Sequence, residues 1–71
     1  MDSYIVIEIQ TNADGTVGNL VWPFADRNEA EGKYHSVLAA AAVSALPRHS
    51  AALIGNDGFP YAYQCYEHGA E

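Results

Sequence analysis

The N-terminal third of the chain alternates apolar and polar side chains in a way that predicts a β-hairpin. Between Tyr4 and Gln10 the residues are mostly β-branched and isoleucine recurs at every second position, which is the period of a strand. The turn-forming run 12–15 follows, with Gly15 suited to a positive φ, and the strand pattern resumes over 16–22. We expect Pro23 to end this second strand, because proline cannot donate to a β-ladder. One face of the first strand carries Ile5, Ile7 and Ile9, and the other carries Tyr4, Val6, Glu8 and Gln10.

A long helix is predicted to follow this hairpin. The run 26–29 has the form of a capping box, in which Asp26 supplies an acceptor to a free amide and Glu29 returns a bond to the cap. The helical pattern continues to about Leu46, where Pro47 ends it. Such a helix is about 30 Å long and would span a small sheet. The stripe expected to face the sheet consists of Tyr34, Val37, Leu38, Ala41, Ala42 and Ala45.

The last third of the chain repeats the hairpin pattern. Strands are predicted over 50–55 and 59–66, joined by the turn sequence 56–58, and residues 67–71 are expected to form a frayed tail. The predicted fold class is therefore α+β, of ββαββ type. Two hairpins form one antiparallel sheet, one long helix packs on one of its faces, and residues 1–71 form a single domain.

The predicted fourth strand carries aromatic residues on both of its sides. Tyr61, Tyr63 and Cys65 alternate with Ala62, Gln64, Tyr66 and His68. Together with Tyr4 and Trp22, this pattern suggests that the sheet face away from the helix is rich in aromatic rings. Such a face would serve as an oligomer interface or as a stacking platform for bases. The simpler alternative is that these tyrosines only cover a small sheet.

The composition indicates that the chain gains stability by self-association. Its 71 residues are 49% hydrophobic and include one cysteine, Cys65. An internal disulfide is excluded, and a lone core of this size rarely leaves more than about 3 to 5 kcal/mol of net stability. We therefore expect a homo-oligomer, either a dimer or a tetramer, with a ligand site at or near an interface. A free thiol also fits a reducing cytoplasm.

The charge balance excludes several classes of partner. Nine acidic residues against three basic ones give a net charge of −6, which opposes binding to bulk nucleic acid or to anionic lipid. The N-terminal run lacks the basic region of a signal peptide, and no run of about 18 apolar residues could span a membrane. A compact anionic ligand remains compatible with this charge, because a few amides and one arginine can hold it locally.

The cationic cluster of the chain falls at the predicted helix start. Arg27, Asn28, Lys33 and His35 lie within its first turns, where free amides and the helix dipole favour an anion. A solvated, capped helix start is the alternative. The three histidines lack metal-ligand spacing, and Cys65 has no acidifying neighbour in the sequence. Neither an enzyme nor a cofactor is therefore predicted.

Three stretches resemble a family of very short proteins encoded by phages and integrated elements of gut Bacillota. They are EIQTNADGTVGNLV (8–21), DRNEAEGKYHSVLAAAAVS (26–44) and QCYEH (64–68), and together they cover more than half of the chain. In size and context such proteins are similar to phage-encoded nucleotide sponges, of the anti-CBASS and anti-Thoeris type. The resemblance implies an oligomeric protein in the host cytoplasm that holds a cyclic nucleotide between subunits without cleaving it.

Two hypotheses of different classes follow. In the first, the chain is a sponge in which Arg27 contacts phosphate, Tyr34 or Tyr66 stacks on a base, and Asn28 or His35 contacts a base edge. In the second, it is an acidic inhibitor, an anti-CRISPR or nucleic-acid mimic, that binds a basic groove of a host protein. Carboxylates gathered on one face would favour the inhibitor, whereas dispersed carboxylates, which we expect, would favour the sponge.

Overall fold

Two antiparallel hairpins flank one helix in the computed structural model, which describes residues 3–68. The predicted ββαββ fold is confirmed. The elements are β1 (Tyr4–Thr11), β2 (Val17–Phe24), α1 (Arg27–Ala42), β3 (Arg48–Gly55) and β4 (Pro60–Glu67).

The sheet joins the two hairpins through its central strands. Its order is β2-β1-β3-β4, with every neighbouring pair antiparallel. The seam between β1 and β3 pairs Tyr4 with Gly55 and Thr11 with Arg48, so β2 and β4 are the edges. Both hairpin turns use a glycine with positive φ, Gly15 at 92° and Gly58 at 88°, a conformation that other L-residues adopt at a cost.

The second strand does not stop at Pro23, as the sequence had suggested. It continues through Pro23, which pairs with Ile5, and ends at Phe24. An edge strand needs hydrogen bonds on one side only, so it tolerates the missing N–H group of a proline. The expectation failed because it did not allow for β2 being an edge strand.

Two further helix predictions are corrected. The helix ends at Ala42 and not near Leu46. Ala42 and Ala45, which were expected to face the sheet, are both exposed. Asp26 does occupy the N-cap position, but it makes no side-chain cap hydrogen bond, so the capping box is not formed. The residues that α1 buries are Ala30, Tyr34, Val37 and Ala41, which recur at the spacing of one helical stripe.

The helix covers the opposite sheet face from the one expected. Val6 and Leu53 are the largest fully buried side chains, and both lie under α1. Tyr4 and Trp22 pack against the same core, so the prediction that they lie on the face away from the helix is wrong. Because side chains alternate along a strand, Ile5, Ile7 and Ile9 lie on the side of the sheet that the helix does not cover.

We call this uncovered side of the sheet the open face. The register arranges its residues in four rows across the strands, in the order β2, β1, β3, β4. The two rows nearest Pro23 are entirely apolar, and the two rows towards Arg48 become polar. The rows are Pro23, Ile5, Ile54, Pro60; then Val21, Ile7, Ala52, Tyr63; then Asn19, Ile9, Ser50, Cys65; and finally Val17, Thr11, Arg48, Glu67.

Two glycines provide a matched test of the backbone. A Cβ atom added to Gly32, inside α1, or to Gly58, in the β3–β4 turn, would meet nothing within 4 Å. Gly32→Ala should raise the free energy of unfolding by about 0.5 to 1 kcal/mol, because alanine loses less entropy in a helix. Gly58→Ala should lower it by about 1 to 2 kcal/mol, because φ is positive there. Urea denaturation measures both, and changes of the same sign would contradict this assignment.

Candidate functional site

An exposed group of aromatic and cationic side chains lies where α1 begins. The Arg27 guanidinium carbon is 4.5 Å from the centroid of the Tyr61 ring, and Phe59 meets the same ring edge-on at 5.1 Å. Phe59 is 57% exposed and Tyr61 40%. We call Arg27, Phe59 and Tyr61 the ring cluster. It presents exposed aromatic rings beside a positive charge, and such groups can hold a base next to its phosphate.

An irregularity in the β3–β4 pairing brings Tyr61 to the helix side of the sheet. The register shifts between Leu53 and Ile54, so that Leu53 pairs with Ala62 while Ile54 pairs with Pro60. Tyr61 is the extra residue, and such a bulge redirects a side chain. Gly55 makes room for it, since a Cβ there would lie 3.0 Å from Tyr61 Cε2 and 2.9 Å from Asp57 Oδ1. Tyr61 therefore does not share a face with Tyr63 and Cys65, as strict alternation had predicted.

The start of α1 adds hydrogen-bond donors to this region. The first intrahelical bond runs from the Ala30 amide to the Asp26 carbonyl, at 3.1 Å. The amides of Arg27, Asn28 and Glu29 precede that bond, and Asp26 does not cap them with its side chain. Amides in this position point out along the helix axis and suit an anion. Arg27 itself pairs with Glu31 at 2.9 Å across an exposed helix surface.

The five residues predicted to bind a ligand do not form one group. Arg27 and Asn28 are exposed at the helix start, next to the ring cluster. Tyr34 is only 6% exposed and belongs to the core, where burial, and after it the neighbouring Tyr66, raises its pKa. His35 is exposed and meets the edge of the Tyr34 ring. Tyr66 lies five residues beyond Tyr61 on β4, about 17 Å away.

A buried polar pair lies under the other half of the helix. Nε2 of His49 contacts Oε2 of Glu8, and Gln10 donates to the same oxygen at 3.0 Å. Glu8 is 8% exposed and His49 5%. Because an ionised carboxylate only accepts, His49 must carry its hydrogen on Nε2. Among residues 3–68 its other ring nitrogen, Nδ1, has no hydrogen-bond partner.

The environment of Glu8 favours its charged form. Burial is the largest influence and raises the pKa. The hydrogen bonds from Gln10 and His49, together with the fields of His49 and Lys33, outweigh burial and hold the pKa of Glu8 below its ordinary value of 4.5. Both side chains are nearly buried, so the pair is not accessible to a substrate.

All three basic residues of the sequence already have partners. Arg27 contacts Glu31 and Tyr61. The Nζ atom of Lys33 lies 4.1 Å from the centroid of the Trp22 ring. Arg48 pairs with Glu67 at 3.2 Å at the rim of the open face. A ligand phosphate would therefore have to compete with an existing contact. Exposed ion pairs of this kind contribute about 0 to 1 kcal/mol, so the competition is weak.

The carboxylates are spread over the described chain. Asp14 and Asp57 lie in the two hairpin turns, where each accepts a backbone amide at 3.0 Å. The backbone bond from Thr16 is the first cause that lowers the pKa of Asp14. Glu8 is buried, and the others described lie at the N-cap, on the helix and at the end of β4: Asp26, Glu29, Glu31 and Glu67. No single face collects them.

Comparison with known proteins adds no functional assignment to this geometry. No protein-family model, curated protein or solved structure matches the chain. Within residues 3–68 there is no enclosed pocket and no group of side chains suited to hold a metal ion. The helix that is described is too short and too polar to cross a membrane.

Sequence reasoning missed two features of the structure. The contact of Arg27 with Tyr61, whose ring also meets Phe59, depends on the bulge, which leaves no mark in the alternation. The Glu8–His49 pair joins residues 41 positions apart, so only the strand register reveals it. One signal was visible, because Glu8 alternates with Val6 and therefore shares its face.

Glu8 should make the stability of the protein dependent on pH. Because its folded pKa is lowered, its contribution is complete above the unfolded value and is lost as the pH falls through the folded value. Glu8→Gln should lower the free energy of unfolding at neutral pH by about 1.5 to 3 kcal/mol, since a charged hydrogen bond is lost. It should also flatten the decline below pH 4.5. Urea denaturation across a pH series measures both effects.

Glu29→Gln is the matched control, since it removes one negative charge from the exposed start of α1. An acid decline that is equally steep in Glu8→Gln and in the wild type would show that other carboxylates dominate the acid response.

Proposed function

We propose that the chain is a non-enzymatic binding protein that sequesters a cyclic nucleotide second messenger in the cytoplasm of a bacterial host. The main support for this proposal is the ring cluster, in which an arginine and two exposed aromatic rings lie beside a helix start. The resemblance to short phage proteins supports an anti-defence role, in which the ligand is held and not cleaved.

The ring cluster suggests how the ligand is held. A phosphate group displaces Glu31 from Arg27 and accepts from the free amides of α1, where the helix dipole also favours it. A base stacks on Phe59, the most exposed ring of the cluster. Asn28 lies at the same helix start and supplies an amide side chain for a base edge. Tyr34 has no part in this scheme, because a base could reach its ring only if the helix left the sheet.

The remaining candidates of the sequence fit this scheme less directly. Tyr66 lies far along β4 from Arg27, so one compact ligand does not contact both within a chain. His35 sits on the exposed side of the helix two turns after Arg27. Either residue would contact the ligand only as part of a second subunit's surface. The ring cluster of one chain is therefore the core of the proposed site.

The acidic-inhibitor hypothesis has no comparable support. A nucleic-acid mimic presents its carboxylates on one surface, at the spacing of phosphates. Here the turn aspartates accept backbone amides of their own turns, and Glu8, Glu31 and Glu67 are each paired with a cation or a histidine. Their dispersal favours the sponge.

Thermal unfolding with a panel of cyclic di- and trinucleotides tests the proposal. A ligand present at about one hundred times its Kd should stabilise the fold by about 2.7 kcal/mol, which raises Tm by about 10 °C or more in a domain of this size. Arg27→Gln should weaken binding of that ligand by about 10- to 100-fold, since it removes a charged donor to phosphate.

Arg48→Gln is the matched control. It makes the same change of charge in another exposed ion pair, on the opposite face of the sheet, and should leave the affinity within about twofold. Unchanged melting temperatures across the whole panel would refute the proposed ligand class. An equal loss of affinity in both variants would mean that general charge, and not the ring cluster, binds the ligand.

A further inference from the structure

We propose that the open face is the surface through which two copies of this chain associate, face to face, in a symmetric four-stranded-on-four-stranded sandwich. A two-fold axis would place the same surface of each copy against the other, so the face must be complementary to itself. The inference concerns assembly alone and holds whether or not the nucleotide proposal is right.

The chemistry of the open face is that of an interior layer. Its two apolar rows contain isoleucine, valine, alanine, proline and one tyrosine, and α1 covers none of them. Val21 is 54% exposed and Tyr63 77% exposed in the single chain. Alternate residues of the same strands, such as Val6 and Leu53, are almost fully buried. The half of the sheet that contains the two apolar rows is therefore apolar on both faces, as in sheets that are covered on both sides.

Charge is excluded from this face although the chain is strongly acidic. Its only charged members are Arg48 and Glu67, which pair with each other in the last row. Every other described carboxylate lies in a turn, on the helix or under it. Two copies can therefore approach through the open face without bringing unpaired carboxylates together, which the net charge of −6 per chain would otherwise penalise.

The area suits a small dimer. Each strand has eight residues, so four strands about 4.8 Å apart and about 26 Å long give a footprint of about 500 Å². Two copies would remove about 1,000 Å² from water, which is the least that a specific interface needs. The two apolar rows make up about half of that footprint, and the two rows towards Arg48 are polar. We therefore expect a reversible dimer.

The sheet edges are poor alternatives. Both edge strands contain a proline, Pro23 in β2 and Pro60 in β4. Each proline removes one backbone donor near an end of its strand, and proline on an edge strand is a common protection against edge-to-edge pairing. A second copy is therefore more readily bound at the open face than at a sheet edge.

Sedimentation equilibrium of the full chain tests the assembly. The wild type should approach twice the chain mass of 7.7 kDa as its concentration rises. Ile7→Lys places a charge at the centre of the apolar rows and should give a monomer at every concentration. Because lysine reduces the net negative charge, greater repulsion could not explain that loss. Val43→Lys makes the same change at a residue that is 85% exposed on the helix side and should dimerise like the wild type.

Thiol labelling of the folded protein identifies which surface the dimer buries, without a substitution that prevents dimerisation. Cys65 is exposed on the open face, and its neighbour Gln64 is exposed on the helix side of the same strand. Alkylation of Cys65 should slow as the protein concentration rises, in proportion to the fraction that remains monomeric. The thiol of a Gln64→Cys, Cys65→Ser variant should react at one rate throughout.

Each result decides the proposal. A monomer mass at all concentrations overturns it. So does an oligomer in which Cys65 stays reactive, since another surface would then be buried. Equal protection of both thiols indicates pairing through the edge of β4 and also overturns it. A dimer that protects Cys65 alone supports it, and the nucleotide panel does not enter into any of these outcomes.

Discussion

The structure depends on one helix having to cover a sheet that is wider than itself. An α-helix with its side chains is about 10 Å across, whereas the outer strands of a four-stranded sheet lie about 14 Å apart. The core is accordingly concentrated on β1 and β3, at Val6, Ala51 and Leu53. Small helix residues such as Ala30 and Ala41 are fully buried, and they let the helix lie close to these central strands.

The margins of the helix are filled from the sheet edges. Trp22 from β2 and Tyr61 from β4 reach inward with large rings, and each ring is covered by a helix cation, Lys33 and Arg27 respectively. The two contacts lie on either side of the helix and fix its position over the sheet. Two of the three basic side chains of this acidic chain are therefore used in packing, and most of the carboxylates lie in turns, on the helix surface and at the rim of the sheet.

The elements were predictable from local sequence, whereas their faces were not. Gly15 and Gly58 predict the two hairpin turns, and Asp26 predicts the helix start, because these signals act within a few residues. The face that meets the helix is a global choice. The isoleucine face of β1 and the face that carries Val6 are both apolar, so alternation alone cannot decide between them. The aromatic side chains that fill the helix margins settle it.

The candidate site was only partly predictable for the same reason. Arg27 and Asn28 follow from the position of the helix start, which is local. Tyr61 reaches them through a bulge, and the bulge depends on how β4 pairs with β3 and on the space left by Gly55. Tyr34 had two predicted roles: the helical stripe placed it against the sheet, and the ligand hypothesis placed a base on its ring. The structure places it in the core, as the stripe predicted.

The seam between β1 and β3 also determines how the chain can fold. Each hairpin is local and could close within about 1 to 10 μs, but neither has a complete core. Tyr4 meets its partner Gly55 only when the two halves dock beneath the helix. The chain between these two residues must close into a long loop, and the entropy is lost before burial of apolar surface compensates for it. Docking at the seam is therefore the step that should limit the folding rate. The Glu8–His49 pair crosses that seam, so it can form only when the halves have joined in the correct register.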